Sequence, residues 1–305
     1  MRPINLTSEN SNQFFYIPNV FDYLELMKPR VMSLVIFTTI VGIYLAPNQI
    51  HPVLAMFSIL AIALGAGSAG AINQWIDRDI DKVMLRTRNR PIPSGRVDPA
   101  EALTFSLVTS LISIIILGLS SNWFAAGLLF FTIFFYSVVY SIFLKRKTPQ
   151  NIVIGGAAGS LPPVIGWSAM TGDITYLPVI LFMIIFLWTP PHFWALALVK
   201  SDDYQKAGIP MMPNVVGEPS TKNQMFIYCF FVFICSVTPY LFGYSGLFYI
   251  ISASLLGIIF LFLSLSLIIF PKRKLEMQLF GYSIFYLFGI FFSLVIDKLI
   301  SGSSL

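Results

Sequence analysis

Four stretches of this chain, 102–144, 174–199, 223–271 and 277–296, contain no Asp, Glu, Lys or Arg. A helix needs roughly 20 apolar residues to cross a bilayer, so the longest of these runs must be hairpins of two crossings each. Inside hydrocarbon every backbone N–H and C=O has to be paired within the structure, and runs of this length achieve that as α-helices. Splitting the apolar sequence at its Gly, Pro, Asn and Ser clusters predicts nine spans, near 31–47, 53–73, 102–120, 123–143, 151–170, 176–198, 225–242, 246–270 and 279–298. The expected fold is all-α, a polytopic membrane protein with nine transmembrane helices, and a water-soluble reading is excluded.

The charges that remain are segregated. Arg2, Lys28 and Arg30 precede span one, and Arg78, Lys82, Arg86, Arg88, Arg90 and Arg96 follow span two. Lys145, Arg146 and Lys147 follow span four, Lys200, Lys206 and Lys222 follow span six, and Lys272, Arg273 and Lys274 follow span eight. With nine spans all of these fall on one side, and only Lys298 falls on the other. The positive-inside rule then predicts a cytoplasmic N-terminus and an external C-terminus. The sequence pI near 9.1 follows from this anchoring, so it gives no argument for nucleic acid, and the partner it implies is a lipid bilayer.

A polar tail is expected over 1–20, without the apolar core of a signal peptide and with a single arginine, unlike an organellar transit sequence. A bacterial plasma membrane fits these features. Phe21, Leu24 and Met27 recur at helical spacing and predict a short interfacial helix before Pro29. One transmembrane domain is expected over 21–300, with long loops near 74–101 and 199–224 on the basic side. Cys229 and Cys235 lie six apart within one span and read as small core residues.

Carboxylates inside so apolar a chain need a reason, because unpaired charge at a membrane edge is expensive. Asn73, Asp77 and Asp81 are spaced four apart, which on a helix places them on one face, about 6 Å apart along the axis. Converging oxygens of that kind suit a hard cation such as Mg²⁺, which favours carboxylates, retained waters and substrate phosphates. The competing reading is a solvated helix end whose acids neutralise Arg78 and Lys82. Asp79 points the opposite way and is expected to pair with basic loop residues. Asp202 and Asp203 occupy the second long loop, so five of the fourteen acids lie at two junctions on one side of the membrane. Two acidic stretches with Arg and Lys around them suit a metal-bridged diphosphate.

The pattern Asn73-x-x-x-Asp77-x-x-x-Asp81 at the end of span two resembles the first aspartate-rich motif of the UbiA superfamily of intramembrane prenyltransferases. Lys28-Pro29-Arg30-Val31, Arg86-Thr87 with Arg90-Pro91, Pro190-Pro191-His192-Phe193-Trp194 and Asp203-Tyr204 with Ala207-Gly208-Ile209-Pro210-Met211 narrow the resemblance to the branch that farnesylates protohaem IX. One departure from the wider superfamily stands out. Asp203 has Val199 four before it and Ala207 four after it, so the second acid of a later Asp-x-x-x-Asp is missing, with Asp202 or Lys200 as the candidate substitutes.

The resemblance implies farnesyl diphosphate as donor and protohaem IX as acceptor, with Mg²⁺ as cofactor. It assigns Asn73, Asp77, Asp81 and Asp203 to the metal, with Arg86, Arg90 and Lys200 on the diphosphate. Lys28 and Arg30 are candidates for haem propionates or diphosphate, and positive-inside anchoring explains them equally well. His192 is open between ligating or contacting haem and being a polar residue satisfied by a neighbour. Tyr204, Trp75, Trp167, Trp188 and Trp194 are candidates to shield an allylic cation, or packing residues. Partners that deliver haem or collect product, such as haem A synthase or other oxidase-assembly proteins, are implied by the resemblance alone. A UbiA-type enzyme with an aromatic quinone precursor as acceptor is the nearest alternative. A transporter would place its ionisable residues near the midplane, and an alcohol phosphotransferase would show an Asp-Gly…Ala-Arg element that is absent here.

Overall fold

Proline at the first or second position opens α2 (Pro29–Leu45), α3 (Pro52–Ile76), α5 (Pro99–Ser120), α8 (Pro162–Thr171) and α12 (Glu218–Leu241). Its fixed φ suits the first turn, where its missing N–H leaves no bond unmade. The computed structural model describes residues 18–270 and 273–301. The remaining helices are α1 (Val20–Leu26), α4 (Arg78–Val83), α6 (Trp123–Phe134), α7 (Asn151–Ser160), α9 (Tyr176–Val199), α10 (Ser201–Lys206), α11 (Met212–Val216), α13 (Leu247–Ile269) and α14 (Arg273–Ser301). Helix α6 runs on as a π-helix, Phe135–Leu144. The tail expected over 1–20 lies outside the described residues apart from Pro18, Asn19 and Val20.

Among the described residues, eight helices or continuous helix pairs are long and apolar enough to cross a membrane. Helix α2 passes the same test only together with α1, to which it is joined at a bend of 61°, and counting that bent pair as one span brings the candidates to nine. The starts of spans seven and nine differ from expectation, span nine beginning by Lys274 rather than near 279, and span five keeps its expected bounds but is interrupted. Span five is broken at Leu161, where Pro162 and Pro163 start α8 in a new turn. Span seven begins at Glu218 rather than near 225, because Lys222 belongs to the helix: its Nζ pairs with Glu276 Oε1 at 2.9 Å and Glu218 Oε2 at 3.3 Å. A charge that marks a loop in the sequence is here neutralised inside the bundle.

Hydrophobic attraction cannot draw helices together in lipid, so close approach and hydrogen bonds do the work. Helix α3 lies along α5 with Ser58 and Ser120 hydroxyls at 2.9 Å and Ser110 Oγ donating to Ser68 Oγ at 2.8 Å. Helices α2 and α8 meet at reciprocal glycines. A Cβ on Gly42 would strike the Pro163 carbonyl, and one on Gly166 would strike that of Thr39. Outward positions such as Leu111, Phe130, Leu255 and Phe262 are exposed, as a lipid-facing surface requires.

Consecutive residues near the end of α14 lock the end of the bundle opposite the acidic loops. Asp297 accepts from the backbone amides of Gly246 (2.5 Å) and Tyr249 (3.0 Å) at the start of α13. Lys298 Nζ donates to the carbonyls of Tyr44 (2.9 Å) and Leu45 (3.4 Å) at the end of α2. Each charge meets the helix end whose orphan groups and dipole it complements.

Candidate active site

Helix α3 stops at Asp77, whose backbone leaves the helical region (φ −89°, ψ 6°), and α4 starts one residue later. The amide ladder nevertheless carries through: Asp77 N donates to Asn73 O at 2.9 Å and Asp81 N to Asp77 O at 2.8 Å. The spacing of four therefore survives the break. Asn73, Asp77 and Asp81 are all buried.

Their partners are specific. Asn73 Nδ2 donates to Asp77 Oδ2 (2.8 Å) and to Ser141 Oγ (2.9 Å), while its Oδ1 accepts from Lys28 Nζ at 2.7 Å. Lys145 Nζ donates to Asp77 Oδ2. Arg90 Nη1 pairs with Asp81 Oδ2 at 2.7 Å. Asp77 Oδ1 is buried and has no partner among the described residues. Lys28 lies within electrostatic reach of Arg90, Lys145, Asp77 and Asp81, so three cations surround two carboxylates.

Lys145 is the member of this cluster that sequence reasoning missed, because it reads as one more positive-inside anchor. Its placement depends on the π-helix. There Lys145 N donates to Tyr140 O and Ser141 Oγ to Tyr136 O, both five residues back, at 2.9 and 2.8 Å. The extra residue per turn turns Ser141 and Lys145 towards α3, and π-turns recur at functional sites. Tyr136 and Tyr140 stack at 5.3 Å on the same helix, and Gly155 makes room for the Tyr140 ring, which a Cβ would strike. The only sequence signal for the pairing of Lys145 with Asp77 is its position at the end of an apolar run.

The two long loops are joined by a small apolar core of Ile80 and Met84 from the first, Tyr204, Ile209 and Met211 from the second, and Ile152 and Ala197 between them. Asp79 faces away as its position predicts, and takes a two-pronged pair with Arg146 at 2.7 and 2.8 Å. The Arg146 hydrogen bonds hold the Asp79 carboxyl below the usual carboxylate range.

Residues 35–294 match the UbiA prenyltransferase family. The chain belongs to that family. It is 56% identical over 282 residues to the protoheme IX farnesyltransferase of Rhizobium johnstonii, covering 91% of this chain and 89% of that one. The Agrobacterium fabrum protein of the same name is 56% identical over 280 residues, covering 90% and 88%. Among solved structures, digeranylgeranylglyceryl phosphate synthase superposes with a TM-score of 0.77 at 19% identity, over 92% of this chain and 98% of that one. A UbiA homologue of Archaeoglobus fulgidus bound to GPP and Mg²⁺ superposes with a TM-score of 0.64 at 18% identity, over 87% and 99%. This UbiA-family chain is thus a multi-pass membrane prenyltransferase.

Not every residue read from the motifs reaches the buried cluster. Arg86, Lys200 and Arg30 are exposed, and Tyr204 is buried in the inter-loop core. Asp203 is half-buried on α10, and among the described residues no three His, Cys, Asp or Glu side chains converge into a metal cage. His192 is satisfied by a neighbour, its Nδ1 2.7 Å from Ser283 Oγ, and its ring lies between Trp188 at 4.3 Å and Phe280 at 4.6 Å. Trp75 carries the Arg78 guanidinium over its face at 4.8 Å.

Asp77 and Asp81 with the unpartnered Asp77 Oδ1 still fit Mg²⁺. That ion is commonly held by one or two carboxylates, with waters and substrate phosphates completing its shell, so a full protein cage is not required.

Proposed function

We propose that this prenyltransferase moves the farnesyl group of farnesyl diphosphate onto a vinyl group of protohaem IX, giving the hydroxyethylfarnesyl derivative, haem O. The acceptor is supported by relatives of that name at 54–56% identity over nearly the whole chain. The donor is supported by one observation above all. Two buried carboxylates are enclosed by Lys28, Arg90 and Lys145, a cation surplus suited to a polyanion arriving with a metal.

Mg²⁺ held by Asp77 and Asp81, with Asn73 and Asp203 as further oxygen donors, would neutralise the leaving diphosphate. The protein's own groups do the rest. Lys145 and Arg90, released from the carboxylates, donate hydrogen bonds to diphosphate oxygens, as does Lys28, and this charge stabilisation grows as the C–O bond lengthens. Arg86 and Lys200 are assigned to the mouth of the site, where they attract the anion, and Arg30 to anchoring or the haem propionates. The farnesyl C–O electrons leave with diphosphate, and the vinyl π electrons form the new C–C bond. Water adds to the resulting cation and loses a proton. The apolar core around Tyr204 and the stacked Tyr136 and Tyr140 keep water from the allylic cation before the vinyl group reaches it. His192, buried between two rings, is assigned to shaping the acceptor side. The basic end is proposed to face the cytoplasm of a bacterial plasma membrane, on the positive-inside rule, and 21–300 to act as one domain.

The test is pigment analysis of membranes from cells expressing the wild type beside Asp77→Ala, with farnesyl diphosphate available. Farnesylated haem in the wild type alone is the expected result. A prenylated quinone precursor instead would reassign the acceptor while keeping the prenyl transfer.

A further inference from the structure

The bend between α1 and α2 sits on the turn of α3 that presents the acids. Gln74, next to Asn73, donates through Nε2 to the last carbonyls of α1, Glu25 O at 3.2 Å and Leu26 O at 3.0 Å. Its Oε1 is buried with no partner among the described residues. A half-satisfied buried amide is costlier than an apolar side chain of the same size, which points to a use for the bonded half. Arg96 grips the side chains of α1, donating to Asp22 Oδ1 at 2.5 Å in its first turn and Glu25 Oε2 at 2.7 Å in its last, and ties them to the loop through Asn89 O at 2.8 Å.

A seven-residue helix is not stable by itself. Val20, Phe21 and Leu24 point outward, so only Leu26 and Tyr23 join the apolar core beneath. The polar grips therefore set where α1 ends. Two residues beyond that end stands Lys28, the single non-glycine residue with positive φ (55°) among those described, fixed ahead of Pro29. That conformation is costly for a side chain with a Cβ. It sends the Lys28 chain past Gly70, where a Cβ would lie 3.5 Å from Lys28 Cδ, to place Nζ 2.7 Å from Asn73 Oδ1.

We propose that Gln74 and Arg96 are positioning residues that act through Lys28, holding the α1–α2 bend so that its ammonium faces the diphosphate. This rests on reading the Asn73–Asp77–Asp81 cluster as the diphosphate site. Neither residue touches the anion.

The experiment is calorimetric binding of inorganic diphosphate with Mg²⁺ to the purified full chain in nanodiscs. The variants are Lys28→Met, Gln74→Leu, Arg96→Gln, Arg96→Lys and the first combined with each of the next two. Losing a charged hydrogen bond predicts about tenfold weaker binding for Lys28→Met and about fivefold for Gln74→Leu and Arg96→Gln. In the Lys28→Met background the second substitutions should add less than about twofold, since the group they position is gone. Arg96→Lys should recover part of the loss, and amide exchange over 19–28 should quicken in Gln74→Leu and Arg96→Gln. Additive losses in the double variants, or unchanged affinity in either of those two single variants, overturn the positioning role. Failure of wild type to bind Mg²⁺ and diphosphate together would instead overturn the diphosphate reading itself.

Discussion

Asp77 and Asp297 are both buried carboxylates at helix ends, at opposite ends of the bundle, and they are neutralised in opposite ways. Asp297 accepts two backbone amides of α13, and its neighbour Lys298 serves two carbonyls of α2. Those partners cannot leave unless a helix unwinds. Asp77 is held by an Asn amide and by Lys145, and one of its oxygens has no partner among the described residues. A lysine on a flexible stem can swing to a new anion without disturbing any backbone. Both acids are enclosed, so burial alone does not separate them; the mobility of the partner does. One carboxylate fastens the fold, and the other is available for exchange.

That contrast can be broken by experiment. Asp77→Ala is expected to reduce prenyl transfer about 100- to 1,000-fold, the range for losing one preorganised electrostatic group, with the thermal midpoint nearly unchanged. Undiminished Mg²⁺ binding in that variant, read by calorimetry, would remove the metal role of Asp77. Asp297→Ala should do the reverse. It strands two buried amides at about 1–3 kcal/mol each, lowering the thermal midpoint markedly while turnover per folded molecule stays within about twofold. A turnover collapse in folded Asp297→Ala protein would erase the distinction.

Lys145→Gln sharpens the exchange argument. Replacing a charged donor by a neutral one should cost about tenfold in transfer rate, and Mg²⁺ without diphosphate should bind more tightly because a competing cation has gone. The smallest effect is expected at Asp79, whose carboxylate is 62% exposed and pairs with Arg146 on the surface. Asp79→Asn should leave turnover within about twofold, since exposed pairs contribute little. Because Arg146 depresses the Asp79 carboxyl, its contribution is full above the ordinary carboxylate range and fades as pH falls through it. The difference in thermal midpoint between wild type and Asp79→Asn should therefore shrink on acidification, and a difference that grew would reverse the assigned direction.

Much of the fold was legible in the chain because a membrane span is a local property. Length and apolarity suffice to place the eight candidate spans among the described residues and the bent α1–α2 pair that makes a ninth, and Asn73, Asp77 and Asp81 announce themselves by spacing. The start of α12 was not legible, since Lys222 is neutralised by Glu276 from a helix more than fifty residues away. Nor was the split between Arg90, which reaches the buried acids, and Arg86, four residues earlier, which stays exposed.

The sequence by itself determined that the chain crosses a bilayer several times, that its acids gather on the basic side, and that it resembles the UbiA enzymes. Only the tertiary structure decided which cations neutralise those acids, that Lys145 is among them while Lys28 holds Asn73, and that Asp203 is half-buried on α10. The reason is physical. Spans follow from the free energy of transferring a continuous segment into lipid, whereas charge pairing inside the bundle depends on helix phase. Here the π-register of 135–144 and the left-handed Lys28 shift that phase in ways no residue spacing reveals.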